Sequence, residues 1–536
     1  MNYQTKGIIL TAAKADITIC EVFGDLPTGL IPINGKPIIF FIIQQMLDNG
    51  IKDIYISIDY KKEKLQEIVN LYFDTKVNLH YIETNKYNGV GDSLLLIFNK
   101  IKSGSVIINL ADTYIKNFNY DNFIDSLVVS DDFLDEERWA TVEVVDNQII
   151  KFINKSKSSL NPHAICGLYS LSDIKIFKQY EKIEDSLQIN DLLKFYNDKY
   201  LKLKIIQTEY WLDFGHIDKY YLSKKRLIQS RGFNFLEYDD LLGTITKRSD
   251  NKDKFRHEIK WQLNLPKNIE VLSPRILDYS VDADPFITME FYSYPTLSEI
   301  WLYSELNENI YFSIIDKLFK ILELFSKNKK NITQDEYIDM YYNKTLNRIR
   351  SIKNNDILNF LELDDIVINN KTYKNWNFIK PNILKMINEL YVEKDNCFIH
   401  GDFCLSNILY DLRSGIVRLI DPRGIWGNSE NGDIKYDIAK LRHSIYGDYD
   451  YIVNDLFTVT INNKSINFNI LNSNNIAVKD YFDDKLSKSF NLRHIKLIEG
   501  LLFISMIPLH SDNSNRQLIM YAKSIKLLNE IYANDN

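Results

Sequence analysis

Paired cysteines are missing from this chain. Only Cys20, Cys166, Cys397 and Cys404 occur in 536 residues, widely spaced and in no paired motif. That excludes a disulfide framework and a cysteine-based zinc site, and it predicts reduced thiols. An excess of basic charge is missing too. Lys and Arg number 65 against 72 Asp and Glu, for a net charge of −7, which argues against nucleic acid or an anionic membrane as a general partner. Apolar runs such as Leu501-Leu502-Phe503-Ile504-Ser505-Met506-Ile507 are far shorter than a bilayer span, so no membrane insertion is expected. No basic start with a cleavage site precedes Gly7-Ile8-Ile9-Leu10, which predicts a cytoplasmic protein. Internal repeats and Gly/Ser or Pro tethers are absent, excluding solenoid arrays and long flexible linkers.

What is present is the composition of an ordinary globular protein, 45% apolar and 26% charged, in a chain too long for one core. Its first part alternates short strands with helices: apolar strand Gly7 to Thr11, mostly apolar helix Pro37 to Leu47, strand Asp53 to Ile58, amphipathic helix Lys61 to Tyr72. Strand Asn78 to Ile82, helix Asp92 to Ile101 and strand Ser105 to Leu110 continue it. This alternation predicts an α/β domain with a largely parallel, Rossmann-like sheet, whose ligands sit at the carboxyl ends of the strands. The pattern changes between Gln229 and Gly232. Strands at Gly243 to Lys247 and Pro285 to Phe291 flank a helix from Asp253 to Leu263, and Asn309 to Tyr391 reads as almost entirely helical. A small sheet followed by a helical mass predicts a two-lobed, protein-kinase-like α+β domain, giving domains at 1–230 and 231–536.

The richest chemistry lies in the second domain. Cys397-Phe398-Ile399-His400-Gly401-Asp402 runs through Asn407 to Tyr410, and after a Ser414-Gly415 turn comes Leu419-Ile420-Asp421. Strand, loop, strand, turn and strand in that order put Asp402, Asn407 and Asp421 at the mouth of one hairpin. One carboxylate there can orient and deprotonate an attacking hydroxyl, while the amide and the second carboxylate hold Mg²⁺ against nucleotide phosphates. The alternative is a polar hairpin whose Asp and Asn cap turns. A cation on the phosphates, braced by a carboxylate on a neighbouring helix, would complete the set. Lys247 on a strand and Glu258 on the next helix fit, with Lys254 as a competitor nearer in sequence.

His400-x-Asp402, Asn407 and Ile420-Asp421 together resemble the aminoglycoside phosphotransferase and choline/ethanolamine kinase superfamily. The resemblance covers roughly the last 300 residues. It implies ATP as phosphoryl donor, Asp402 as catalytic base, Asn407 and Asp421 as Mg²⁺ ligands, and His400 as a brace of the catalytic loop. Met289 and Phe291 would stand at the hinge that reads adenine. Asp437, in Gly432-Asp433-x-x-Tyr436-Asp437, would anchor the loop. Leu242-Gly243-Thr244 is a poor counterpart of a glycine-rich phosphate loop.

The first domain resembles sugar-phosphate and phosphocholine nucleotidyltransferases. The likeness rests on Gly7 to Ala13, Leu26-Pro27-Thr28-Gly29, Leu110-Ala111-Asp112, Cys166-Gly167-Leu168-Tyr169 and Trp211-Leu212-Asp213-Phe214-Gly215. It implies Asp112 and Asp213 as Mg²⁺ ligands, Leu10, Ala12 and Gly91 at the nucleotide, and CTP or another NTP as substrate. Two departures stand out. Lys14-Ala15-Asp16-Ile17-Thr18 replaces the family's glycine-rich loop and arginine, and Thr28 replaces its lysine. Lys14 or Lys36 would have to compensate, Lys36 as a catalytic cation. A kinase and a nucleotidyltransferase in one chain make consecutive steps, from alcohol to phosphoalcohol to NDP-alcohol, as capsule or lipooligosaccharide synthesis requires. Small alcohols, sugars or choline-like groups and nucleotides are then the partners. The alternative is a kinase carrying a non-catalytic binding module.

Overall fold

Strand Lys6–Leu10 is buried along almost its whole length because it runs between two parallel neighbours and is covered on both faces. The computed structural model that shows this describes all residues except 1–4, 85–88, 134, 146–147, 158–161, 182–185, 200–202, 228–233, 428, 472–474 and 533–536. The chain divides into two compact units, Met1–Ile228 and Gln229–Asn536. The segment from 229 to 232, where the sequence pattern changes, lies outside the described residues.

In the first unit the main sheet runs Gln148–Asn154, Ala140–Val145, His163–Leu171, Val106–Leu110, Lys6–Leu10, Asp53–Ile58, Asn78–Glu83. The last four strands are mutually parallel. Their crossover helices are amphipathic: Lys62–Phe73 buries Leu65, Ile68, Val69 and Phe73, a stripe at helical spacing. Strand His163–Leu171 then adds antiparallel to Val106–Leu110, so the sheet is mixed where alternation alone predicts a largely parallel one. Past Asp112 the sheet turns largely antiparallel, with Gln148–Asn154 simply folding back on Ala140–Val145. Lys204–Gln207, reached through the helix Ile189–Lys199, still pairs parallel with Ser126–Ser130. The strand order reverses direction at Lys6–Leu10 and Val106–Leu110. Ligands of open α/β sheets bind at the carboxyl ends of strands flanking such a reversal, which here are followed by the residues after Leu10 and by Asp112.

The second unit begins with an antiparallel sheet in the order Asn234–Asp239, Thr244–Ser249, Phe286–Glu290, Ile276–Ser280. Helix Lys252–Leu263 packs Phe255 and Ile259 onto Ile287 and Met289. The rest is mainly helical. One expectation fails here, since the stretch from Asn309 to Tyr391 contains a hairpin, Asp365–Ile368 with Lys371–Lys374. Asn369 and Asn370, at φ +47 and +63, turn it, as two-residue hairpin loops require. Strands Ser465–Ile470 and Phe457–Asn462 extend it into a four-stranded sheet. The partner strands lie far along the chain, which hides this element from local periodicity. Among the described residues no helix is long and apolar enough to cross a membrane.

Candidate functional site

In the second unit, Ile408–Tyr410 pairs antiparallel with Val417–Leu419, and the register sets Ile408 opposite Leu419. Asn407 and Asp421 therefore leave the same end of the hairpin, where the Ile420 N–H donates to the Asn407 carbonyl at 3.0 Å. His400 and Gly401 come from the adjacent strand end. Their backbone N–H groups both donate to the fully buried Asp437 carboxylate, at 2.7 and 2.8 Å, which pins the loop. Gly401 lies at φ +75, and a Cβ there would stand 2.8 Å from the Arg423 Cβ. Only glycine lets the two loops approach this closely.

Asp402 sits between two donors. Asn407 Nδ2 donates to its Oδ2 at 3.0 Å, and Lys440 Nζ reaches its Oδ1 at 2.8 Å. Burial raises the Asp402 pKa, but the Lys440 charge and hydrogen bond outweigh it and hold the carboxyl below its ordinary range. Because the Asn407 amide nitrogen is turned to Asp402, its carbonyl oxygen is left on the other side, the atom a metal would use. Asp421 is a non-glycine residue at φ +53 with a half-exposed side chain. One neutral and one anionic oxygen from neighbouring positions suit Mg²⁺, which keeps water and phosphate in its other positions. Among the described residues no group of three or more His, Cys, Asp or Glu could hold a metal by itself.

Lys247, on the strand Thr244–Ser249, bridges Glu258 Oε1 at 2.6 Å and Asp421 Oδ1 at 2.7 Å. Burial pushes Glu258 up to about 7, against the pull of Lys247. Lys254 is exposed at the start of the helix, its N–H donating to the Asn251 cap. Gly424 makes the meeting possible: a Cβ there would come 2.5 Å from the His257 carbonyl carbon. Met289 packs into the small-lobe core, and the Phe291 N–H donates to the Gly243 carbonyl at 3.0 Å.

His400 lies behind the loop. It is 1% exposed, with its ring edge-on to Trp261 at 5.4 Å. Burial lowers its pKa from 6.5 to about 4, so the imidazole is neutral. Between those values the unfolded chain takes up a proton that the folded chain refuses. The stability from this group is full above pH 6.5 and is lost as pH falls toward 4, about 2 kcal/mol of it by pH 5. In chemical denaturation at pH 7.5 and 5, wild type should lose that amount relative to His400→Phe. A gap between the two proteins that stays constant with pH would refute the account.

In the first unit Thr113–Ile115 pairs antiparallel with Trp211–Asp213, setting Asp213 opposite Thr113 and so beside Asp112. Burial, then the Asp213 charge, push Asp112 up to about 6. A Cβ at Gly215 would lie 2.7 Å from Asp112 Oδ2, so the glycine makes room for the carboxylate. His216 Nδ1 lies 3.0 Å from Asp213 Oδ2, and this hydrogen bond raises the His216 pKa. His216 and Lys155, whose charge acts on Asp112, are members that sequence reasoning missed. The i, i+3 spacing of Asp213 and His216 was the available signal for one. Lys155 had none.

The loop after Leu10 is clamped. Thr28 Oγ1 and N–H both donate to the Ala13 carbonyl, at 2.9 and 3.1 Å, and the Ala12 carbonyl accepts from the Tyr60 N–H at 3.1 Å. Asp16 caps the short helix Ile17–Phe23, accepting from the Thr18 N–H at 2.9 Å. Lys14 pairs with Asp25 at 2.7 Å. Lys36 is exposed, 3.4 Å from the Tyr72 hydroxyl and over that ring. Neither lysine is brought to Asp112 or Asp213. Leu10 closes its strand opposite Leu110. Gly91 lies against the chain itself, where a Cβ would stand 2.5 Å from the Gln188 carbonyl oxygen, and part of its turn, 85–88, lies outside the described residues.

Residues 24–230 match the family model for nucleotidyl transferases, and residues 230–452 match that for the phosphotransferase enzyme family. Bifunctional protein GlmU of Methanococcus maripaludis is 29% identical over 220 residues, 39% of this chain and 51% of the relative. D-glycero-alpha-D-manno-heptose 1-phosphate guanylyltransferase of Campylobacter jejuni is 24% identical over 217 residues, 38% of this chain and 90% of the relative. The chain thus spans about half the length of the first relative. The solved inositol-1-phosphate CTP transferase of T. maritima is 19% identical at a TM-score of 0.35, covering 43% of this chain and all of its own. The chain therefore carries a nucleotidyl transferase family domain, residues 24–230, followed by a phosphotransferase enzyme family domain, residues 230–452.

Proposed function

We propose that the second unit phosphorylates a small alcohol with ATP and that the first joins the product to a nucleotide from CTP or another NTP. The outcome is an NDP-activated group for a bacterial capsule or lipooligosaccharide. The observation that carries this reading is the single network joining Glu258, Lys247 and Asp421, next to Asn407 and Asp402. Lys247 takes the nucleotide phosphates, and Asn407 and Asp421 would hold Mg²⁺, which would supply charge neutralisation there. The acceptor oxygen bonds to the γ-phosphorus, the bond to the β,γ-bridging oxygen breaks, and ADP leaves. The hydroxyl proton passes to Asp402. With Lys440 holding its pKa down, Asp402 works first by orienting the hydroxyl, which suits a loose transition state with little early proton transfer.

In the first unit, Asp112 and Asp213 are the Mg²⁺ ligands of nucleotidyl transfer, where the metal neutralises triphosphate and attacking phosphate. A relative named for a sugar 1-phosphate guanylyltransferase supports a phosphorylated alcohol as the second substrate. A second reading, that this unit is a non-catalytic binding module, is favoured by two side chains. The Asp16 carboxylate stands in the loop where anions need N–H groups and positive charge, and Thr28 is tied to Ala13.

Incubating the full chain with ATP, Mg²⁺ and an alcohol panel, then with CTP, UTP, GTP or dTTP, tests both. Mass spectrometry should show a phosphoalcohol, then an NDP-alcohol with pyrophosphate release. Phosphoalcohol without pyrophosphate from any NTP would establish the binding-module reading, and pyrophosphate without any phosphoalcohol would remove the kinase assignment.

A further inference from the structure

The fully buried cations of the second unit are paired with carboxylates among the described residues. Arg442 bonds Asp483 and Glu499, Lys435 reaches Asp395 and Asp433, and Lys479 meets Asp448. That is the ordinary condition for charge taken out of water. Beside Asp402 three half-buried cations cluster without such partners. Lys344 Nζ and Arg423 Nη1 both donate to one phenol oxygen, that of Tyr436, at 3.2 and 3.0 Å. Arg348 follows Lys344 by one helical turn on the helix Lys344–Arg350, on the same face. Among the described residues no carboxylate pairs with Lys344, Arg348 or Arg423.

The three belong to one electrostatic group. Burial, then the charges of Arg423, Lys440 and Arg348, drive the Lys344 pKa well below its ordinary value, and Asp402 is the carboxylate pulling back. Burial and Arg423 likewise lower Arg348. A π-helical turn, Asp339–Asn343, immediately precedes Lys344; such turns shift helix register and recur at functional sites. So the chain assembles cations here against their mutual repulsion, with the Tyr436 hydroxyl as the shared partner of Lys344 and Arg423.

We infer that the alcohol phosphorylated by this unit carries an anionic group, a carboxylate or a phosphate monoester, held by Lys344, Arg348 and Arg423 beside Asp402. The inference rests on the kinase reading of Asp402 and names the acceptor class of that same site. The nucleotide is not the anion in question. Asp402 presents Oδ2 to Asn407, on the metal side, and Oδ1 to Lys440, whose charge also acts on Lys344. A choline-like acceptor does not fit. Its ammonium needs an open aromatic face, whereas Trp426 is 1% and Trp301 4% exposed, and the groups that line the approach repel it.

The test uses the full chain, Mg²⁺ and ATP with acceptors matched on two skeletons. The three-carbon set is glycerate, glycerol 3-phosphate, glycerol and 3-amino-1,2-propanediol. The hexose set is glucuronate, glucose 6-phosphate, glucose and glucosamine. An acid member should exceed its neutral partner roughly 100-fold in kcat/KM, as desolvated charge pairing allows, with the amines slowest. Carboxylate and phosphate arms tell the two anions apart. Arg348→Gln and Lys344→Met should raise KM for the acid at least about 10-fold without raising that for the neutral partner, and Arg348→Lys should retain the acid preference. Neutral or amino members matching the acids, or no acid bound by protein holding Mg²⁺ and a non-hydrolysable ATP analogue, would overturn the inference. So would variants that raise KM for ATP instead. Failure to bind the ATP analogue at all would instead remove the kinase reading beneath it.

Discussion

Asp402→Asn lowers phosphoryl-transfer turnover roughly 10²- to 10⁴-fold, the usual worth of a positioned general base. The amide keeps the volume of the carboxylate and can still accept from Asn407, so the loop stays where Asp437 pins it. What it loses is the anion. Lys440, 7% exposed, then has no counter-charge at Oδ1, and the acceptor hydroxyl loses both its orienting acceptor and its proton sink. Single-turnover rates with pre-bound Mg²⁺ and ATP isolate the chemical step, and ATP affinity measured alongside should move by no more than a few-fold. Full turnover in this variant would remove Asp402 from the role.

Lys247→Met should cost about 10²- to 10³-fold in kcat/KM for ATP, the range seen when one preorganised electrostatic donor is removed. Methionine fills the volume and leaves Glu258 and Asp421 without the ammonium they share. Glu258, already pushed up by burial, then stays protonated and no longer braces anything charged. Arginine is not a remedy, because its planar fork cannot occupy a point position between two carboxylates. Lys254→Met is the comparison. Lys254 lies exposed at the helix start, and its loss should change kcat/KM less than about three-fold. Should Lys254→Met prove the damaging substitution, the roles of the two lysines are reversed.

The two carboxylates of each unit were not equally legible. Asp402, Asn407 and Asp421 fall within 20 residues on one hairpin, so residue types and turn chemistry suffice to bring them together. Asp112 and Asp213 come from strands a hundred residues apart, and only likeness to a family linked them before the pairing of Thr113–Ile115 with Trp211–Asp213 did so. Thr28 reads in sequence as a lost lysine. In the fold it is a clamp on Ala13, a role with no local signature.

Local order therefore determined the kinase hairpin and the parallel half of the first sheet, because turn chemistry and hydrophobic period act over a few residues. Only the tertiary structure decided which lysine meets Glu258 and that Lys344 and Arg423 share one phenol. Those outcomes depend on side chains 11 to about 90 positions apart, and charge acts through space, where order along the chain leaves no trace.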